Sequence, residues 1–171
     1  MTISLWQRLD QAGRSLAPLA VTLMLVLLSV VPLYLPGWQR VAPLLVLMSV
    51  YYWTIHRPDL LPPGAVFAVG LLYDLLAGSP LGLTALVLLL CHWMVVYQRG
   101  FFLAGSFLML WTGFSVVVFG AELVQWLACS LLSGEVLGVR AALFQALLSL
   151  ALFPLCAWLF IRIHRAFLNQ G

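Results

Sequence analysis

Apolar residues dominate this sequence so heavily that the informative positions are the interruptions. Turn residues and sparse charges divide the chain into six apolar runs. The first covers residues 16–35 and closes at Pro36-Gly37. The second, about 41–55, ends at His56-Arg57-Pro58-Asp59. A third, 63–77, stops at Gly78-Ser79-Pro80, and a fourth, 81–98, stops at Arg99-Gly100. The fifth begins at Phe101 and stays apolar to Leu132, with Glu122 as its charged interruption. The last, 141–161, is followed by Arg162, His164 and Arg165. A helix needs about 20 residues to cross about 30 Å of hydrocarbon. The pattern therefore predicts six transmembrane helices in one all-α bundle, the short second and third runs being completed by their flanks, 38–57 and 60–78.

The fifth run is too long for a simple crossing, since 32 residues at 1.5 Å each extend about 48 Å. Residues 123–132 are expected to continue the helix while leaning on or lying along the outer surface. The stretch 3–16 interleaves Leu5, Leu9 and Leu16 with Arg8, Asp10 and Arg14, which reads as a short interfacial helix or as frayed chain. The expected organisation is an N-terminal cytoplasmic segment (1–15), a six-span domain (16–165) and a cytoplasmic tail (166–171).

Composition excludes the alternatives to a membrane protein. Of 171 residues, 64% are hydrophobic and 8% charged, against roughly 25% charged in a soluble domain. Mean hydropathy is +1.11, and a water-soluble body of this size cannot hide that much apolar surface. A cleaved signal peptide is not expected, because the first run is too long and the same composition continues behind it. Cys91, Cys129 and Cys156 read as small core hydrophobes.

Charge then tests the span count. All eight basic residues are Arg, and the net charge is +3. Six spans with a cytoplasmic N-terminus place Arg8, Arg14, Arg57, Arg99, Arg162 and Arg165 inside, with Arg40 and Arg140 outside. Dropping the third run divides the bases evenly. The positive-inside rule favours six spans, both termini cytoplasmic. Bases this scattered give no reason to expect a nucleic-acid partner. Aromatics agree: Tyr34, Trp38 and Trp126 fall at the outer interface, and Tyr51, Tyr52, Trp53, Trp93, Tyr97 and Trp158 near the inner one. Trp111 is the exception, about 15 Å into its helix.

Asp74 is the most informative charge, because ionisable groups within spans are costly and face the bundle interior or a cavity. It lies in a glycine-rich frame with Gly70, Gly78 and Gly82. Ser79 reads as an N-cap and Pro80 as the first helical position of span four. One turn before the loop, Asp74 is placed to reach the free amides of the following helix and lock the hairpin; ligand or proton handling and helix docking are the other readings. Gly70 and Gly78 suit close approach or turn dihedrals. Glu122, Gln125 and Trp126, at i, i+3 and i+4, read as an outer-interface patch or as a contact for a partner or cavity. Arg57-Pro58-Asp59 reads as helix stop and start, and His92 as a hydrogen-bonded core residue. Pro154 is expected to kink span six. The sequence offers no nucleophile–base pair, phosphate loop, metal cluster or paired carboxylates, so neither an enzyme nor a cofactor is expected.

The order of these features resembles the MreD family of bacterial rod-shape-determining membrane proteins. It is carried by Pro43, Tyr52-Trp53, Gly70-x-x-x-Asp74-Leu75-x-x-Gly78-x-x-x-Gly82, Ala121-Glu122 and Pro154, across about residues 38–168. The resemblance implies a non-enzymatic inner-membrane scaffold of the cell-elongation complex. Such a subunit would bind the bitopic protein MreC and help couple MreB filaments to peptidoglycan synthases. Membrane lipids and a second copy of the chain are further candidate partners. It also implies a helix arrangement similar to the substrate-binding subunits of energy-coupling-factor transporters, with an outward cavity to which Asp74 and Glu122 contribute. The main alternative is accordingly a vitamin-binding subunit of such a transporter; an intramembrane lipid enzyme would need a catalytic constellation that the sequence does not offer.

Overall fold

The computed structural model describes residues 5–30, 44–134 and 138–168. Regular structure among them is entirely helical: α1 (Leu5–Val30), α2 (Leu45–His56), a 3-10 turn (Pro58–Leu60), α3 (Pro63–Ala77), α4 (Leu83–Ala104), α5 (Phe107–Ser133) and α6 (Val139–Leu168). By length and composition, three segments among them can cross a membrane: Leu83–Gly100 in α4, Phe107–Ser133 in α5 and Val139–Ile163 in α6. Residues 31–43, including Tyr34, Trp38, Arg40 and Pro43, lie outside the described residues.

The helices alternate in direction. A single cavity is lined by Leu44 and Leu83 at the starts of α2 and α4 and by Gln145 near the start of α6. Its other walls hold Ser29, Ala77 and Cys129, near the ends of α1, α3 and α5. The opposite end gathers His56, Phe102, Ser106 and Ile161 around a second cavity.

Helix α2 is the axis of the bundle. Every residue from Val46 to Ile55 is buried, the signature of a helix surrounded on all sides. Tyr51 packs against Phe102, Phe114 and Phe153. Ser49, Tyr51 and Thr54 on α2 each reach a different neighbour, as buried donors and acceptors generally require partners. Ser49 Oγ bonds Thr22 Oγ1 of α1 at 2.8 Å, and Tyr51 donates to the Leu110 carbonyl of α5 at 2.9 Å. Thr54 Oγ1 bonds His92 Nδ1 of α4 at 2.9 Å. The Leu44 amide, just ahead of α2, donates to Ser149 Oγ of α6 at 2.9 Å.

Two expected boundaries move. Helix α4 does not stop at Arg99-Gly100; it continues to Ala104, and the break falls at Gly105-Ser106. One glycine costs a helix only about 1 kcal/mol, and the Arg99 guanidinium docks on the Ile55 carbonyl at 2.8 Å instead of demanding a loop. Ser106, in an extended conformation, then starts α5, its carbonyl accepting the Met109 and Leu110 amides. The second shift follows: α5 has 27 residues, about 40 Å, running unbroken to a left-handed Gly134. At the N-terminus, α1 passes through residue 16 without interruption.

Candidate functional site

The α3–α4 hairpin is built around one carboxylate. Asp74 lies in the last turn of α3 with none of its surface exposed. Its oxygens accept the Ser79 hydroxyl at 2.8 Å, the Gly82 amide at 2.9 Å, the Thr84 amide at 3.1 Å and, at the limit of bonding, the Ala85 amide at 3.5 Å. Gly82, Thr84 and Ala85 supply the amides that a helix start leaves without intrahelical partners, and a negative charge is favoured at that positive end. The Asp74 main-chain carbonyl meanwhile takes the Gly78 and Ser79 amides, closing α3.

Glycines make this geometry accessible. Gly78 (φ 68°) and Gly82 (φ 90°) occupy the left-handed region, where a Cβ is penalised. One turn before Asp74, Gly70 lies against Ala85, and any Cβ there would run into the Ala85 backbone. Ser79 and Pro80 do not have the roles expected of them. Helix α4 begins at Leu83 with Gly82 as its N-cap, so both residues belong to the connecting turn. The reason is that Asp74, arriving from α3, already performs the capping, leaving the Ser79 hydroxyl to bind the carboxylate.

Beyond the hairpin lies the half-open cavity of about 230 Å³. Ser29, Tyr73, Ser79, Thr84, Gln125 and Gln145 give it a neutral polar lining among apolar residues of α2 and α4. Asp74 itself does not line the cavity. Gln145, Tyr73 and Ser29 were not singled out by sequence; the available signal was a polar side chain inside an apolar run.

Glu122, Gln125 and Trp126 divide between two spaces. Gln125 faces the cavity, whereas Glu122 and Trp126 line a separate cleft of about 180 Å³ between α5 and α6, with Phe119, Leu123, Val139, Ala142, Leu143 and Ala146. Glu122 is 8% exposed, and its Oε1 has no hydrogen-bond partner among the described residues. Pro154 lies inside α6; it has no amide to offer the Leu150 carbonyl, which accepts instead from Trp111 Nε1 at 3.1 Å.

Among the described residues no three His, Cys, Asp or Glu side chains gather as a metal centre requires. Comparison with known proteins gives no matching curated protein and no matching solved structure. One family model does match, that of the rod shape-determining protein MreD, over residues 10–163. This span takes in α2 to α5 with the Asp74 hairpin and most of α1 and α6, and the chain belongs to the MreD family of bacterial rod-shape-determining membrane proteins.

Proposed function

We propose that this protein is a non-enzymatic scaffold of the cell-elongation complex. In this reading it crosses the inner membrane six times with both termini cytoplasmic, binds an MreC-like single-span partner and helps couple MreB filaments to peptidoglycan synthesis. The observation that carries the reading is the family match over residues 10–163. Alternating helix direction supports the topology, as does charge: Arg57, Arg99, Arg162 and Arg165 belong to one end of the bundle and Arg140 to the other. Arg162 lies over the Trp158 ring at 4.6 Å, as an interfacial pair would.

Binding in this reading is lateral packing, in which shape and dispersion hold a partner helix and a few polar contacts fix its register. Co-purification of the full chain with the MreC-like partner from mild detergent tests it. Stable one-to-one recovery is expected; separation under conditions that keep both proteins folded would overturn the reading.

The cavity favours a second reading, a binding subunit similar to those of energy-coupling-factor transporters. Its neutral amides and hydroxyls suit a small uncharged polar ligand. Thermal stabilisation of the purified protein by a panel of vitamins would support that reading.

A further inference from the structure

The cavity of about 200 Å³ at the end of the bundle opposite the Asp74 hairpin is walled by Tyr52 and His56 of α2, Ser106 and Phe107 at the start of α5, and Ala157 and Ile161 of α6. Tyr52 is 2% exposed. Its hydroxyl has no hydrogen-bond partner among the described residues and is not sealed in, so a buried phenol donor faces the cavity. Two guanidinium groups flank that donor. Arg99 donates from Nε to the carbonyl of Ile55, itself part of the wall, at 2.8 Å, which leaves its terminal amino groups unengaged among the described residues. Arg165, exposed and one turn beyond Ile161 on α6, lies near enough for its charge to act on the Tyr52 phenol. No described carboxylate pairs with either arginine. Helix α5 starts at the same wall without a side-chain cap on its first amides.

We propose that this cavity binds the phosphodiester of an anionic phospholipid, with Tyr52 as the buried donor and Arg99 and Arg165 as the countercharges. The inference goes beyond the scaffold reading and does not depend on it. A buried donor without an acceptor is costly, and a phosphate oxygen satisfies it with a charge-assisted hydrogen bond. Basic pockets between helices at the membrane boundary suit such headgroups. Charge selects among lipids, because the amine of a zwitterionic headgroup would meet two cations where a phosphodiester alone meets none of its own sign. Access selects a lipid over a free ion. Phe107 in the wall is 52% exposed and Leu108 beside it 64% exposed, so the cavity opens on an apolar flank of the bundle. There the acyl chains stay in hydrocarbon while the phosphate turns inward.

The test uses the full chain purified in mild detergent and given phosphatidylglycerol or phosphatidylcholine with the same acyl chains, retained lipid being counted by native mass spectrometry. Retention of phosphatidylglycerol is expected at least about fivefold above phosphatidylcholine. Tyr52→Phe, which removes only the hydroxyl, lowers that retention about threefold or more, as loss of one charge-assisted bond should. Arg165→Gln lowers it to a similar extent; because Arg165 is exposed, this variant keeps the assignment testable if Tyr52→Phe fails to accumulate. Arg162 serves as the control at the same end, since its guanidinium is held over the Trp158 ring at 4.6 Å; Arg162→Gln should stay within about twofold of the parent. Equal retention of the two lipids, or retention indifferent to both Tyr52→Phe and Arg165→Gln, overturns the site. An Arg162→Gln loss as large as that of Arg165→Gln overturns it too, by showing attraction spread over the whole basic end. Displacement of the lipid by excess inorganic phosphate would assign the cavity to the free ion and overturn the lipid as its occupant.

Discussion

The indole N–H of Trp111 donates to the Leu150 carbonyl at 3.1 Å, the acceptor that Pro154, four residues later, cannot serve. A tryptophan in the second turn of α5 thus serves the open carbonyl of a neighbouring helix and ties α5 to α6 beside Pro154. Lipid offers no substitute donor, so the pairing has to come from protein.

Trp111→Phe should lower stability by about 1 kcal/mol, within the range measured for interhelical bonds in membranes. In a Pro154→Ala background the loss should shrink, because the amide that the substitution restores can then satisfy Leu150. Thermal unfolding of the four proteins in detergent checks this; equal losses in both backgrounds would show that the indole does not act through that carbonyl.

Asp74→Ala removes the acceptor for four donors at once. A cost of about 3 kcal/mol or more is expected, in line with the penalty for stranding buried polar partners. Asp74→Asn retains one acceptor oxygen and should fall between Ala and the parent. Folded yield and unfolding temperature decide the order, and an Asp74→Ala protein as stable as the parent would remove the carboxylate from its role in the hairpin.

Two glycines of α3 should respond oppositely to a methyl group. At Gly64 an added Cβ meets nothing within 4 Å, so Gly64→Ala should be neutral or gain up to about 1 kcal/mol from helix propensity. At Gly70 the same change meets the Ala85 backbone and should cost about 1–3 kcal/mol, as overpacking does. Parallel unfolding curves read the sign of each.

Topology predicts which ends can be labelled. In a chain stripped of its three cysteines, a cysteine at Ser106 should react only with reagent reaching the cytoplasm, and one at Gly134 only from outside. The reverse result would invert the bundle and place four of its arginines on the wrong side.

The hairpin was legible in the sequence because its chemistry is local. An aspartate within an apolar run, framed by glycines and followed by a helix start, leaves few places for its charge. Arg99-Gly100 misled because an arginine in an apolar run usually marks water, whereas here a carbonyl of α2 receives it. The central position of α2 was illegible for a more general reason. Lipid is as apolar as leucine, so hydrophobic periodicity does not tell a membrane helix's buried side from its exposed one. What separates α2 from the rest is where Ser49, Tyr51 and Thr54 find their partners, and those partners are distant in sequence.

The enclosure of α2 has a consequence for how the protein is made. Its 12 residues extend about 18 Å, too little to cross the hydrocarbon unaided; Ser49, Tyr51 and Thr54 find partners only once α1, α5 and α4 have arrived, and Tyr51 and Tyr52 are covered by Phe153 and Phe160 of α6. Biogenesis therefore cannot proceed by releasing finished helices singly into the bilayer. The nascent segment has to be held at the insertion machinery until its later neighbours emerge, which makes completion of α6 a step in its burial.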